Sequence, residues 1–440
     1  MKIHLIGIGG IGVSAIAQYY LSKGYQVSGS DLVKSEITDF LKKKGIKIII
    51  GNSEKNIKKD IDLVVYSPAV KKNSPELLKA KNYNIKAMSY PKALGELTKE
   101  YYTIAVAGAH GKSTTASMIA LTMIKAKLDP TVIVGTKLKE FGGSNFRAGK
   151  SKFLVIEACE YDSSFLQYFP NIAVVTNVDK EHLDFFKTLA NVKKAFKSFI
   201  LKTDKDGYFV FNLDNKYIPK IKNPKFKVLP FSIKQKEVFQ LSKILNVPGK
   251  HNIYNALATI AVAKILGIPS TVYFKALGQF KGTWRRFESK QAVVGNPPSS
   301  KTSARQRKII IISDYAHHPN EVSATLQATR EKYPDKKIWC IFQPHQHQRT
   351  HYLFNDFVKI FRKMPINGIV ITDIYDVAGR ETKTINSEVS SEKLVKKINK
   401  KDVFYCATKN LEKEIINNIG NNDVLIIMGA GDIYKLFDKF

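Results

Sequence analysis

Short apolar runs alternate with amphipathic stretches along the N-terminal part of the chain. The runs predict β-strands, and the stretches between them, whose apolar residues recur at helical spacing, predict α-helices. The predicted strands are Ile3–Ile8, Tyr25–Ser30, Ile46–Ile50 and Leu63–Ser67, and the predicted helices are Gly12–Leu21 and Ile37–Lys44. Such alternation is typical of a parallel sheet with helices on its faces.

The same alternation restarts twice, near Tyr101 and near residue 290. The second series predicts strands Thr103–Ala107, Phe153–Glu157 and Ile172–Asn177 and helices Thr114–Lys127, Val192–Leu201 and Ile253–Leu266. The third predicts strands Gln291–Val294, Lys308–Ser313, Lys336–Phe342, Gly368–Thr372 and Val424–Met428, with a mobile polar loop at Gly295–Arg307. We therefore predict three α/β domains, at 1–98, 99–289 and 290–440.

The chain is strongly basic, with 70 Lys and Arg against 38 Asp and Glu, a formal net charge of +32. A basic surface of this size is compatible with a nucleic-acid or polyphosphate partner. The lysines are scattered over every segment, however, and no zinc-finger, RRM or KH signature accompanies them. We therefore attribute the charge mainly to composition and expect no specific nucleic-acid partner.

Cysteine usage and hydropathy indicate a cytoplasmic protein. The three cysteines, Cys159, Cys340 and Cys406, are far apart and form no Cys-x-x-Cys pair, as expected in a reducing compartment. No apolar stretch reaches the ~18 residues of a membrane-spanning helix, so we expect no membrane insertion. Glycines interrupt the apolar N-terminus, which favours a strand and turn over a signal peptide.

The first glycine-rich turn, Gly7-Ile-Gly9-Gly10-Ile-Gly12, follows a predicted strand and opens a predicted helix. Glycines at this spacing let a diphosphate approach the positive end of the helix. Asp31, at the end of the next strand, stands where an acid that binds a ribose or a base is expected. The motif alone indicates a nucleotide, most often NAD, and a turn that merely packs is the alternative.

The second glycine-rich turn is Gly108-Ala-His-Gly111-Lys112-Ser113-Thr114. Its backbone amides are expected to surround the phosphates of ATP, with Lys112 neutralising their charge and Ser113 binding Mg²⁺. Val106 stands where the general P-loop pattern has its first glycine. The fold class is therefore α/β with a Rossmann-like N-terminal domain, a central P-loop ATPase-type domain and a C-terminal Rossmann-like domain.

The presence of both glycine-rich turns in one chain argues against several classes of function. A hydride-transfer enzyme needs no P-loop, and a simple ATPase needs no dinucleotide-like turn. A ligase that uses ATP to join a nucleotide-linked acid to a second molecule needs both. An NAD-dependent oxidoreductase and a basic nucleic-acid-binding protein stay as distant alternatives.

The ordered motifs of the chain resemble those of the Mur ligases, the ATP-dependent amide-forming enzymes of peptidoglycan precursor synthesis. They are Gly7–Gly12, Gly108–Thr115, Glu157–Leu166, Thr176–Asp184, Gly249–Ala258, Arg285–Phe287, Asp314–Val322 and Phe342–Thr350. Within the family they are most similar to the enzymes that join L-alanine to UDP-N-acetylmuramate through an acyl phosphate. A sister ligase that recycles a murein tripeptide onto the same UDP-muramate is the nearest alternative.

The resemblance implies substrate-binding residues in each domain. Those for the UDP-linked substrate are Gly9, Gly10, Ile11, Gly12, Ser14, Asp31, Ser67 and Arg286. Those for ATP are Gly108, Ala109, His110, Gly111, Lys112, Ser113, Thr114, Asn252, Asn255 and Asp314. Those for the amino acid are His317, His345 and Arg349. The expected partners are UDP-N-acetylmuramate and L-alanine, and the protein is expected to be a monomer or a homodimer.

The resemblance also implies that Lys112, Glu157 and His182 are catalytic and that Ser113, Glu157 and His182 hold Mg²⁺. Histidine is unusual for Mg²⁺, so His182 has a structural or phosphate-contacting alternative.

Several other candidates also have alternatives. Asn252 is suited to helix capping, and an interdomain salt bridge is the alternative for Arg285 or Arg286. Zinc binding by His317-His318 lacks a third ligand at suitable spacing.

Three positions depart from the family pattern. Gln346 stands where a second Arg usually follows the His of Phe-Gln-Pro-His, and Cys159 replaces an Asp of the segment after Glu157. The region of Lys92 lacks an Arg often seen before the second domain. These changes leave the reaction intact, but we expect Gln346 to weaken amino-acid binding.

Overall fold

The structure, a computed structural model, describes residues 1–295, 306–376 and 388–440, with the backbone alone at Asp184. The loop predicted at Gly295–Arg307 therefore lies largely outside the described residues.

The N-terminal sheet has five strands in the order β3-β2-β1-β4-β5, and all of its pairs are parallel. The strands are β1 Lys2–Ile6, β2 Gln26–Asp31, β3 Lys47–Ile50, β4 Leu63–Tyr66 and β5 Lys86–Ser89. The helices are α1 Ile11–Ser22, α2 Glu36–Lys43, α3 Pro75–Asn82 and α4 Tyr90–Glu100. The strand order reverses at β1, and in open α/β sheets this switch point is where ligands bind.

The central sheet has seven strands in the order β12-β11-β10-β6-β9-β7-β8, parallel except for the β7–β8 pair. The strands are β6 Tyr102–Ala107, β7 Thr131–Leu138, β8 Ser144–Arg147, β9 Phe153–Glu157, β10 Ile172–Val175, β11 Tyr208–Asn212 and β12 Lys227–Phe231. The helices are α5 Lys112–Lys125, α6 Leu183–Phe186, α7 Leu189–Ile200, α8 Glu237–Ile244, α9 Lys250–Ile265 and α10 Ser270–Gln279.

The C-terminal sheet has six strands in the order β13-β14-β18-β15-β16-β17, and only β13 is antiparallel to its neighbour. The strands are β13 Glu288–Val294, β14 Arg307–Asp314, β15 Ile338–Phe342, β16 Gly368–Ile371, β17 Val403–Tyr405 and β18 Val424–Met428. The described helices are α11 Pro319–Lys332, α12 His347–Tyr352, α13 Phe354–Lys363, α14 Ser391–Ile398, α15 Leu411–Asn418 and α16 Lys435–Lys439.

The chain forms two compact units. The first contains Met1–Leu245 and Ile253–Phe280, and the second contains Asn246–Asn252 and Lys281–Phe440. The N-terminal and central sheets thus share one unit. The α/β class with mainly parallel sheets is confirmed, while the boundaries near 99 and 289 stay a prediction. Among the described residues, no helix combines the length and apolarity needed to cross a membrane.

An aromatic cluster lies in the core of the first unit. The Phe165 ring stacks on the Phe199 ring at a centroid distance of 4.9 Å and meets the Phe196 ring edge-on at 5.2 Å. All three side chains are fully buried. Burial of large rings in offset or edge-on contact contributes several kcal/mol of hydrophobic free energy.

We expect Phe165→Ala to lower the free energy of unfolding by about 3–5 kcal/mol, because the substitution leaves a cavity between two rings. Phe239→Ala is the matched control, since that ring is 70% exposed and its loss should change the free energy by less than ~0.5 kcal/mol. Urea unfolding measures both, and equal destabilisation by the two variants would contradict the assignment of Phe165 to the core.

Candidate active site

The P-loop connects β6 to α5 by a backbone path that only glycine permits. Gly108 and Gly111 have φ angles of 147° and 81°. A Cβ on Gly108 would lie 2.0 Å from Thr176 Oγ1, and one on Gly111 would lie 2.4 Å from Asn255 Oδ1. The loop is therefore packed tightly against the end of β10 and against α9.

Residues after β10 fix the P-loop by hydrogen bonds. The Asn177 side chain accepts from the His110 amide at 2.9 Å and donates to the His110 carbonyl at 2.9 Å. The Thr176 hydroxyl donates to the same carbonyl at 2.6 Å. The loop conformation is thus set before any nucleotide binds. The sequence placed Thr176 and Asn177 in a family motif without predicting this contact.

Lys112 begins α5 and turns its ammonium group back into the loop. Its Nζ donates to the Gly108 carbonyl at 2.6 Å and lies 3.0 Å from Glu160 Oε2. The side chains of Lys112 and Glu160 are only 13% and 1% exposed. Burial is the largest single effect and lowers the pKa of Lys112, but the neighbouring acidic groups, Glu160 above all, together outweigh it, and the net pKa is raised. Lys112 therefore stays an ammonium ion in the protein interior. Burial also raises the pKa of Glu160, the partner in this pair.

Glu160 is a functional candidate that the sequence analysis did not single out. It is the second acid of Glu157-Ala-Cys-Glu-Tyr-Asp162, and its position there was the only available signal. Between the two acids lies Cys159, for which burial raises the pKa to about 12. A neutral thiol therefore stands where the family pattern has an aspartate.

Two of the predicted Mg²⁺ ligands are in contact. The Ser113 hydroxyl donates to Glu157 Oε2 at 2.7 Å, and the Gly135 amide donates to the same oxygen at 2.9 Å. A Cβ on Gly135 would lie 2.6 Å from that oxygen, so glycine is required for this approach. A hydroxyl beside a carboxylate at the end of the P-loop is a donor set that fits Mg²⁺.

The third predicted ligand, His182, contacts the other acid of this segment. Its Nε2 lies 3.6 Å from Glu160 Oε1, and its ring meets the Tyr161 ring edge-on at 4.9 Å. His182 has a φ of 53°, which turns the chain before α6. The role of His182 as a Mg²⁺ ligand therefore stays a prediction.

The two predicted adenine-binding asparagines differ in their contacts. Asn255 is buried on α9 and accepts a hydrogen bond from the Thr115 hydroxyl at 3.1 Å, next to the P-loop. Asn252 lies in the first turn of α9 and donates to the Pro248 carbonyl at 2.7 Å. That bond runs from the side chain to a carbonyl, whereas an N-cap side chain accepts from an amide.

The first glycine turn, Asp31 and Ser67 lie together at the switch point of the N-terminal sheet. The Gly9 amide donates to Asp31 Oδ2 at 2.8 Å, and a Cβ on Gly7 would lie 2.9 Å from the Ser67 Cβ. The Ser14 hydroxyl points inward and donates to the Ile11 carbonyl at 2.8 Å. Gly10 and Ile11 cap and begin α1, and a Cβ on Gly12 would lie 2.7 Å from the Tyr90 ring.

In the second unit, Asp314 ends β14 and is buried. Its carboxylate accepts from the amides of Phe287 and Ala316, each at 2.8 Å, and from the Thr325 hydroxyl at 3.3 Å. Burial raises the pKa of Asp314 in spite of these bonds. The carboxylate thus ties β14 to the segment before β13 as well as standing at the strand end where the ATP contact is predicted.

The three residues predicted to bind the amino acid lie in one cluster. Arg349 Nη1 is 3.0 Å from His345 Nδ1, and the rings of His345 and His317 are 5.7 Å apart. His317 Nδ1 lies 3.2 Å from a carboxylate oxygen of Glu321, the acid of the capping box of α11. The sequence analysis did not single out Glu321, and the N-cap of α11 is His318 rather than the Ser or Thr of the usual capping-box pattern.

The tandem arginines have different environments. Arg285 is buried and donates to the carbonyls of Gly429 and Gly431 at 2.5 and 2.9 Å. Arg286 lies 3.8 Å from Glu321 and over the Tyr315 ring at 4.9 Å. These contacts of Arg286 lie within the second unit.

Three family models match the chain in sequence order. Residues 2–102 match "Mur ligase family, catalytic domain", residues 106–263 match "Mur ligase middle domain" and residues 301–431 match "Mur ligase, glutamate ligase domain". Together they account for most of the chain.

Individual relatives match over the whole length. The UDP-N-acetylmuramate–L-alanine ligase of Clostridium kluyveri is 40% identical, with 100% of this chain and 97% of the relative covered. The solved UDP-N-acetylmuramate–alanine ligase of Thermotoga maritima superposes with a TM-score of 0.78 at 28% identity, covering 100% of this chain and 98% of that chain. A murein peptide ligase of Psychrobacter arcticus gives a TM-score of 0.70 at 20% identity, covering 100% and 98%, which bears on the fold alone.

We expect Glu160→Gln to make nucleotide affinity dependent on pH. Without the carboxylate, burial lowers the pKa of Lys112, so its ammonium charge is lost as the pH rises towards ~10. The affinity for ATP should then fall between about pH 7 and 10 in the variant and stay flat in the native protein. Fluorescence titration with an ATP analogue across this range measures the effect.

Glu96→Gln is the matched control, because Glu96 pairs with Lys99 on the exposed surface at 2.9 Å. A flat profile for Glu160→Gln would show that Glu160 does not maintain the charge of Lys112.

Proposed function

The chain belongs to the Mur ligase family, and from this premise we propose that it joins L-alanine to UDP-N-acetylmuramate with conversion of ATP to ADP and phosphate. The observation that carries the proposal is the full-length 40% identity to UDP-N-acetylmuramate–L-alanine ligases. The reaction is a step of peptidoglycan precursor synthesis, and its need for ATP is met in the cytoplasm.

The chemistry proceeds in two steps. The carboxylate of the muramyl group attacks the γ-phosphorus of ATP, ADP leaves, and an acyl phosphate forms. The amino group of L-alanine then attacks the acyl carbon, loses a proton, and phosphate leaves as the amide forms. Catalysis in such reactions depends mainly on positioning the reactants and neutralising their charge.

Lys112 is the group proposed to neutralise the transferring phosphoryl group. Its ammonium ion is preserved by Glu160 and held by the P-loop carbonyls. When a phosphate group enters the loop, it replaces Glu160 and the carbonyls as the partner of Lys112, and it carries more negative charge than they do. The paired arrangement thus keeps a buried lysine protonated until the nucleotide binds.

Mg²⁺ would be held by Ser113 and Glu157, with His182 as the third proposed ligand. When bound, the ion supplies positive charge to the phosphate oxygens. Ser113 and Glu157 are already in hydrogen-bond contact, so little rearrangement of their side chains is needed.

The UDP part of the substrate is proposed to lie on the first glycine turn. The amides at the N-terminus of α1 have no acceptor within the helix and face the diphosphate position. Asp31, which accepts from Gly9, and Ser67 lie at the same edge. Because the Ser14 hydroxyl is bonded internally, we assign the main diphosphate contacts to the backbone amides.

Arg349 is the proposed partner of the L-alanine carboxylate. It lies beside His345 in the cluster with His317, and a guanidinium can hold one carboxylate by two hydrogen bonds. Gln346 is the position at which this chain departs from the family pattern. It precedes α12 with a φ of 70°, and its backbone amide donates to the Tyr375 carbonyl. With Gln346 in place of a second arginine, amino-acid binding is expected to be weak.

A tripeptide-recycling ligase is the second candidate, and the comparisons favour it less. Two solved murein peptide ligases are 20% identical over 100% of this chain and 26% identical over 64% of it, whereas the L-alanine ligase of Clostridium kluyveri is 40% identical over the whole chain. The oxidoreductase and nucleic-acid-binding alternatives leave the P-loop and the family match unexplained.

We expect L-alanine to drive phosphate release in the presence of UDP-N-acetylmuramate, ATP and Mg²⁺, and the tripeptide L-alanyl-γ-D-glutamyl-meso-diaminopimelate not to. The tripeptide begins with the same alanine residue, but its α-carboxylate is converted to an amide and can no longer form a charge-assisted pair with Arg349. A coupled phosphate assay measures both rates. Lys112→Ala should abolish the L-alanine-dependent release, because several kcal/mol of transition-state stabilisation are lost. Faster release with the tripeptide would assign the recycling reaction instead.

We expect Arg349→Ala to raise the KM for L-alanine at least ~10-fold and to change the KM for ATP by less than ~3-fold, since one charge-assisted carboxylate contact is lost. Lys359→Ala, an exposed cation on α13, controls for the change of charge. Unaltered alanine kinetics in Arg349→Ala would remove Arg349 from the amino-acid site.

A further inference from the structure

A closed hydrogen-bond network joins α1 to the edge strand β8 inside the first unit. It consists of Ser14 and Gln18 on α1 and Ser144 and Asn145 on β8, and we call it the α1–β8 network. All four side chains are buried. Residues of the N-terminal sheet's first helix thus bond directly to the central sheet.

Asn145 holds the start of α1. Its amide nitrogen donates to the Ile11 carbonyl and, at 3.1 Å, to the Ser14 hydroxyl oxygen. The Ser14 hydroxyl in turn donates to the Ile11 carbonyl. These bonds reach the first turn of the helix, directly after the glycine turn proposed to bind the diphosphate.

Gln18 completes the network one turn further along α1. Its Nε2 donates to Asn145 Oδ1 at 2.9 Å and to the Ser14 carbonyl at 3.2 Å, and its Oε1 accepts from the Ser144 hydroxyl at 2.9 Å. Each amide therefore uses both of its donor hydrogens and its carbonyl. If either side-chain amide were rotated by 180°, donors would face donors and carbonyl oxygens would face carbonyl oxygens. The network therefore specifies one orientation of each amide.

Apolar packing does not define this arrangement alone. A cleft of about 200 Å³ opens beside the network, with Glu36, Phe40 and Lys137 among its lining residues. Lys137 and Glu36 pair across its rim at 2.9 Å. Where packing is incomplete, directional hydrogen bonds fix the rotation and translation of a helix more closely than apolar contacts do.

We propose that Gln18 and Asn145 are positioning residues, which hold the N-terminus of α1 in register with the P-loop. This inference rests on the proposed function, in which the diphosphate lies at α1 and ATP lies at the P-loop. The acyl-phosphate step requires the muramyl carboxylate and the γ-phosphate to meet in line, and a misplacement of about 1 Å can lower the rate ~100-fold. The network connects the two binding loops through one helix and one sheet.

The test is Gln18→Met, which keeps the length of the side chain but removes its hydrogen bonds to β8. Both binding loops stay intact, so the KM values for UDP-N-acetylmuramate and ATP should change less than ~3-fold, while kcat falls at least ~10-fold. A residue that only stabilises the fold would lower the melting temperature and leave kcat of the folded protein unchanged.

Phe146→Leu is the matched control. Phe146 lies on β8 and packs edge-on against Tyr19 of α1 at 6.3 Å, outside the network. It should lower stability and leave kcat within ~2-fold, since it removes packing area and no directional bond.

Ser144→Ala removes a single hydroxyl and decides the matter if Gln18→Met does not fold. A kcat at least ~3-fold lower supports the positioning role. Native kcat in Ser144→Ala, or in a folded Gln18→Met, overturns it. Failure of the proposed function itself would be seen separately, as a native protein that does not ligate L-alanine.

Discussion

Parallel pairing of strands is the constraint on which the rest of this structure depends. A parallel sheet places the carboxyl ends of its strands at one edge, and each strand is followed by a turn that leads into a helix. Gly7 follows β1, Gly108 follows β6 and Asp314 ends β14. The three predicted binding regions therefore arise from the same architectural rule, applied once in each sheet.

Polar groups gathered at these strand ends include buried charged side chains. Close pairing with other groups offsets the cost of removing those charges from water. Glu160 pairs with Lys112 beneath the P-loop, and backbone amides donate to Asp314, although burial still raises the pKa of both carboxyl groups. An isolated buried ion would be neutralised by a pKa shift, whereas a paired one keeps its charge. In the proposed reaction this pairing maintains a cation that an incoming phosphate can recruit without a proton transfer.

Two of the departures from the family pattern, Cys159 and Gln346, fall at sites where geometry limits their effect. Cys159 lies between Glu157 and Glu160, and burial keeps it a neutral thiol. The two carboxylates therefore experience one fewer neighbouring charge than an aspartate would provide. Gln346 uses its backbone amide to bond the Tyr375 carbonyl, so the substitution leaves the turn before α12 supported and removes only a cation.

The sequence by itself determined many of the local elements and the two glycine-rich turns that are predicted to bind phosphate. Strands such as Phe153–Glu157 and Val424–Met428 were predicted to the residue, because buried parallel strands are continuous apolar runs. The glycine turns were equally visible, since their backbone geometry requires glycine at fixed spacing. Strands β5, β7, β8, β11, β12 and β17 were not predicted. The mixed polar sequences of β5 and β8 carry neither period clearly, whereas β7 and β11 are apolar runs that the sequence analysis did not assign.

Only the tertiary structure decided which distant polar residues meet. Asn145 follows Gly142-Gly143-Ser144 and has the sequence of a surface turn, yet it is buried against Gln18, 127 positions away. Glu160 is one acid among several until the fold places it against Lys112. The periodicity of apolar residues indicates whether a residue faces the core. The partner of a buried polar group depends instead on how helices and sheets pack against each other. A single sequence carries no local signal for this packing.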